Sequence, residues 1–198
     1  AFVVGSKMQG FRVVERTPLI APHPIGEIAF DQCRVPAEDM VGSEGDGFKL
    51  AMETMDTFRA SVGAAACGMA RRALDQAVRY SSNRKQFGRL ICEHQLVQAK
   101  LADMITELDA ARLLVYRAAY AKDNGADRIT REASEAKLFA TEAGFRIIDN
   151  AVQIPGGTGL VSGTVVERLY RDVRALRIYE GTSEIQRLVI AGQLLKEQ

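Results

Sequence analysis

Apolar and polar positions follow two different rhythms along the chain. Up to about residue 42 the apolar residues come in short runs: Phe2-Val3-Val4, Phe11-Arg12-Val13-Val14, and Ile28 to Val35 ahead of Pro36. Such runs predict strands and turns. Four of the five prolines (Pro18, Pro22, Pro24, Pro36) fall here, where they would interrupt a helix. Some three strands do not close a sheet around a core of their own. Residues 1–42 are therefore expected to be part of a β domain that begins upstream of Ala1.

After the turn-rich stretch Val41 to Gly47 the rhythm becomes helical. One helix is predicted from Phe48 to about Ser82, with Gly63, Ala64, Ala65, Ala66 and Gly68 small enough to admit another backbone. A second starts near His94, carries an apolar stripe at Leu101, Met104, Ile105, Leu108 and Val115, and stops at Lys122-Asp123-Asn124-Gly125. A third covers Thr130 to Val152 and ends before Pro155-Gly156-Gly157. A fourth spans about Val165 to Ile178. The last begins at Ser183, with Ser183-Glu184-Ile185-Gln186 as a capping box, and ends near Leu195. Long helices joined by short loops imply a mainly α, antiparallel bundle over residues 43–198.

Composition narrows the function. With 26 Lys+Arg against 25 Asp+Glu over 198 residues, the net charge of +1 argues against gripping nucleic acid or an anionic membrane. No apolar run has the length of a membrane span, so no membrane insertion is expected. Cys33, Cys67 and Cys92 lack metal spacing and suit buried thiols in a reducing compartment. A cytoplasmic location is expected, or the mitochondrial matrix in a eukaryote.

Four segments at helix ends and loops stand apart. In Arg84-Lys85-Gln86-Phe87-Gly88 an arginine beside a glycine turn can grip phosphate oxygens, or simply end a helix in solvent. Gln153-Ile154-Pro155-Gly156-Gly157-Thr158-Gly159 lets a phosphate or ring approach bare backbone, or is a plain interhelical turn. In Tyr179-Glu180-Gly181-Thr182-Ser183-Glu184, Glu180 either projects into a cleft or serves the helix dipole. Asp56 and Arg59 either pair with each other on one helix face or leave Arg59 free for an anionic tail.

Taken together and in order, these segments resemble the carboxyl-terminal half of the acyl-CoA dehydrogenases. The match also includes Cys33-Arg34-Val35-Pro36, His94-Gln95 and the run Ile178 to Arg187. The resemblance implies the end of a middle β domain (1–42) followed by a C-terminal antiparallel four-helix bundle (43–198), FAD as cofactor, an acyl-CoA substrate, an electron-transfer flavoprotein as partner, and a homotetramer built as a dimer of dimers. It implies Glu180 as the base that takes the α-proton, with Gly181 leaving room for the acyl chain. Arg84, Gln86, Phe87 and Gln95 match positions on FAD bound by a neighbouring subunit, and Gln153, Gly156 and Gly157 match a loop over its adenosine–pyrophosphate portion. Thr182 and Glu184 match flavin contacts on the same subunit, and Asp56 and Arg59 match residues near CoA. Relatives that carry the base on the first bundle helix have it where this chain has Phe58, which cannot serve. Pro155 and Thr158 depart from the residues expected in their loop.

The resemblance leaves two further readings. An acyl-CoA oxidase would share the scaffold, and a helical oligomerisation fragment would keep the bundle without the cofactor. Because the β-domain loops that contact the flavin ring are not among these residues, this chain alone is expected to be inactive.

Overall fold

The computed structural model describes residues 1–197. They form two compact units, one over Ala1–Met55 and one from Asp56 onward.

The first unit contains an antiparallel hairpin, β1 (Phe11–Thr17) and β2 (Ile25–Phe30), with Phe11 opposite Phe30. Its register shifts between Val13 and Glu15, leaving a bulge. A lone bridge joins Phe2 to Met40. The strand expected over Ile28–Val35 instead begins at Ile25 and stops at Phe30, because Gln32 takes φ +47° and breaks the extended backbone. Val13, Ile20, Ile25, Ile28 and Phe30 remain exposed, as expected of a sheet too small to cover its own apolar residues.

Helix α1 (Gly47–Ser81) begins in the first unit and runs on into the second. A short hairpin follows, β3 (Lys85–Gln86) and β4 (Arg89–Leu90), and then α2 (Gln95–Asp123), α3 (Thr130–Gln153), α4 (Val165–Leu176) and α5 (Ser183–Leu194). The chain is mainly α, an antiparallel helical bundle, and the helix ends lie close to the positions that caps and breakers predict. Helix α3 is central and packs on α2, α4 and α5.

The core of this unit is built largely from alanine. Ala66, Ala70, Ala73 and Ala77 of α1 meet Ala111 and Ala118 of α2 and Ala136, Ala140 and Ala143 of α3, with Met104, Leu108, Ile147, Ile148, Val173 and Leu176 filling the remaining space. Small residues let backbones approach closely. A Cβ on Gly63 would sit 3.1 Å from Val115 and 3.2 Å from the Ala136 carbonyl. Of the small-residue stripe expected on α1, Gly63 and Ala66 make this approach, while Ala64, Ala65 and Gly68 face outward.

The cap of α5 differs from the expected box by one residue. Thr182 is the N-cap and accepts from the Ile185 N–H, because the Ser183 hydroxyl is taken up by Glu142. The Gln186 side chain turns back to main-chain carbonyls rather than to an N–H.

Candidate active site

The α4–α5 connection carries Glu180 in an unusual backbone conformation. Glu180 has φ +58° and Gly181 has φ +88°, two left-handed residues in succession. Glycine tolerates this, whereas a residue with a side chain holds it only where its surroundings impose it. Three side chains do so here. Arg59 Nε donates to the Glu180 carbonyl at 3.4 Å. Gln186 Nε2 donates to the carbonyls of Glu180 (2.9 Å) and Gly181 (3.1 Å). Lys137 Nζ donates to the Gly181 carbonyl at 2.7 Å. A Cβ on Gly181 would come within 2.7 Å of Gln186 Nε2, so a larger residue there would displace the clamp. Among the described residues, no main-chain carbonyl accepts from the N–H of Glu180 or Gly181.

Asp56 and Arg59 are both buried, and their pairing is the plain alternative that the sequence offered. Arg59 Nη1 lies 3.4 Å from Asp56 Oδ1, while Asp56 Oδ2 accepts from Arg128 Nε (2.9 Å) and the Thr130 hydroxyl (2.7 Å). Arg59 thus links this ionic cluster to the Glu180 main chain. The acid that occupies the first turn of α5 is Glu184, not Glu180. Glu184 is exposed, and its own N–H and the Thr182 hydroxyl hold its carboxyl below the usual range.

A second group forms where the ends of α1 and α3 meet. Arg84, Gln86, Gly156 and Gly157 line one cavity of about 620 Å³ together with Tyr80, Ile91 and Pro155. Arg84 has no ion-pair partner among the described residues, and nothing stands within 4 Å of where a Cβ on Gly156 or Gly157 would be. Phe87 and Gly88 both have positive φ, 52° and 80°, as a two-residue type I′ hairpin turn requires. This leaves the Phe87 ring 93% exposed, edge-on to His94 at 6.1 Å. Gln95 and Gln153 are exposed at helix ends and do not line this cavity.

Sequence reasoning missed Lys137 and Glu142 of α3. Lys137 is fully buried. Burial pushes its ammonium down to about 8, Arg59 pushes the same way, and the carboxylates of Glu142, Glu180 and Glu184 oppose the shift. Glu142 accepts from the Ser183 hydroxyl (2.5 Å) and from Arg177 Nε (2.9 Å). Its burial would raise the carboxyl, but those hydrogen bonds and the charges of Arg177 and Arg187 hold it below the usual range. The available signal was helical spacing: Lys137 stands four residues after Ala133 and three before Ala140, on the stripe that α3 buries.

The family model described as acyl-CoA dehydrogenase, C-terminal domain, matches residues 45–195. The chain belongs to the acyl-CoA dehydrogenase family. It is 46% identical over 197 residues to the 3-(aryl)acrylate reductase of Clostridium sporogenes, which covers 98% of this chain and 52% of the relative. It is 50% identical to the mitochondrial short-chain specific acyl-CoA dehydrogenase of Sus scrofa, over 85% of this chain and 41% of that one. The butyryl-CoA dehydrogenase of Megasphaera elsdenii has a similar solved structure, with a TM-score of 0.94 and 41% identity over 98% of this chain and 51% of the other. The chain thus spans about half the length of these relatives. Among the described residues, no helix is long and apolar enough to cross a membrane, and no His, Cys, Asp and Glu cluster could hold a metal.

Proposed function

We propose that this chain is the catalytic C-terminal half of an FAD-dependent acyl-CoA dehydrogenase, with Glu180 as the base that removes the α-proton of an acyl-CoA thioester. The observation that carries the reading is the left-handed Glu180–Gly181 pair, held by Arg59, Lys137 and Gln186. A strained acidic residue clamped from three helices suits a carboxylate that must meet one C–H bond in one orientation. The Glu180 N–H, which no main-chain carbonyl takes up, is available to the thioester oxygen as charge develops there.

The residues of the second cavity fit a dinucleotide diphosphate: an uncommitted guanidinium at Arg84 lines the same cavity as the bare backbone of Gly156 and Gly157. Arg84, Gln86, Phe87, Gln95, Gln153, Gly156 and Gly157 would hold FAD from one subunit, and Thr182 and Glu184 from the other. Bound there, FAD supplies the acceptor for the hydride that leaves the β-carbon. Glu180 keeps the α-proton, and Gly181, with no side chain, leaves space beside it for the acyl chain. Asp56 and Arg59 support this loop from the CoA side. A homotetramer arranged as a dimer of dimers, with an electron-transfer flavoprotein as acceptor, completes the reading.

Likeness to the acrylate reductase favours a second direction of the same chemistry, in which protonated Glu180 would deliver a proton to the α-carbon while reduced FAD would supply the hydride for the β-carbon. Offering saturated and α,β-unsaturated thioesters separately distinguishes the directions. In the full-length flavoprotein, Glu180→Gln should retain FAD and acyl-CoA binding and lose about 10²–10⁴-fold in turnover. Turnover near that of the parent would remove Glu180 from the role.

A further inference from the structure

Lys137 is the largest of the fully buried side chains, and the proposed reaction leaves it without a task. Lysine is almost never buried whole unless paired. Here no carboxylate lies within salt-bridge distance among the described residues. The Nζ instead donates to a neutral acceptor, the carbonyl of Gly181, at 2.7 Å. That acceptor belongs to the residue directly after Glu180.

The surroundings of this bond show what it restrains. Helix α3 holds the α4–α5 connection at both ends through Glu142, which binds Arg177 before the turn and Ser183 after it. Lys137, from the same helix, holds the middle. Arg59 from α1 reaches the Glu180 carbonyl, and Gln186 from α5 reaches the carbonyls of both Glu180 and Gly181. Since Gln186 already donates to Gly181, the lysine is not needed merely to satisfy that carbonyl. A methionine would fill the same volume without burying a charge. The lysine adds a third direction of pull on a turn that its own backbone disfavours.

We propose that Lys137 is a positioning residue for Glu180, holding the Gly181 carbonyl so that the left-handed turn aims the Glu180 carboxylate at the substrate. This rests on Glu180 being the base. The charged groups around the ammonium are Arg59 from α1, Glu142 from α3, Glu180 from the turn and Glu184 from α5.

The test compares Lys137→Met, Lys137→Gln and Glu180→Gln in the flavin-loaded full-length protein. The Met variant should stay folded and keep its flavin and its KM, while kcat falls about 10–100-fold, as expected when a reacting group drifts by an ångström. Amide hydrogen exchange should quicken about tenfold or more over residues 178–183 and stay unchanged elsewhere. Lys137→Gln, which retains a donor, should recover part of both. Parental kcat and exchange in the Met variant, with Glu180→Gln inactive, would overturn the positioning role and leave the base assignment standing. Loss of fold or flavin in both Lys137 variants would make the lysine structural and overturn it too. Full turnover in Glu180→Gln would remove the base, and the positioning role with it.

Discussion

Arg59 Nε donates to the main-chain carbonyl of Glu180 across 121 residues of sequence, while the same guanidinium pairs with Asp56 one helical turn away. The geometry of the Glu180 turn is thereby tied to the buried Asp56–Arg59 pair, whose Asp56 also accepts from the exposed Arg128 and from the Thr130 hydroxyl.

Removing Asp56 should therefore loosen the fold as well as the turn. Asp56→Ala strands the buried Arg59 charge and should cost about 3–5 kcal/mol in urea unfolding, with Asp56→Asn costing less because it still accepts from Thr130. An unchanged urea midpoint in the Ala variant would show that the cluster is not coupled to stability.

Glu142 makes a prediction about acid. Its folded carboxyl lies below the ordinary 4.5 because Ser183 and Arg177 outweigh the effect of burial. It therefore contributes stability that is present above pH 4.5 and is lost as pH falls through the depressed value. Glu142→Gln should be less stable at neutral pH, and its stability should fall less steeply than the parent's below pH 4.5. Urea midpoints measured across that range check both.

For Lys137 the sign is opposite. The folded protein releases this proton near pH 8, whereas the unfolded chain keeps it to about 10.5, so between those values the unfolded state binds more protons and stability rises with pH. The Tm of the parent relative to Lys137→Met should climb from pH 8 towards 10. A difference that stays flat would mean that the ammonium is not perturbed by burial.

Much of the bundle was legible in the sequence because its signals are local. Gly125 and Pro155 mark helix ends that chain neighbours decide, whereas the α5 cap sits at Thr182 rather than Ser183 because Glu142, 41 residues away, takes the Ser183 hydroxyl. The β2 boundary was not legible, since apolar residues continue past Phe30 and only the φ of Gln32 ends the strand. The same limit applies to the site. The order of motifs pointed to Glu180, yet its left-handed backbone and its clamp depend on Arg59, Lys137 and Gln186 from three different helices. Phe87 is similar: Gly88 announced the turn, but the positive φ that pushes the Phe87 ring into solvent comes from the two-residue hairpin closing around it.

Arg84 tests the second cavity. Arg84→Ala should lower FAD content after dialysis, with about 1.5–3 kcal/mol lost for each charge-assisted hydrogen bond, and Arg84→Lys should restore only part, because the planar fork is gone. Equal flavin absorbance in all three proteins would move the diphosphate elsewhere.

Deuterium uptake at the α-carbon of bound acyl-CoA in D₂O reads the proposed base without depending on the electron acceptor. The full-length flavoprotein should incorporate deuterium at that carbon, and Glu180→Gln, with ligand bound to the same extent, should not. Incorporation at the parental rate in the variant would mean that another group takes the proton and that the clamped Glu180 turn serves a different purpose.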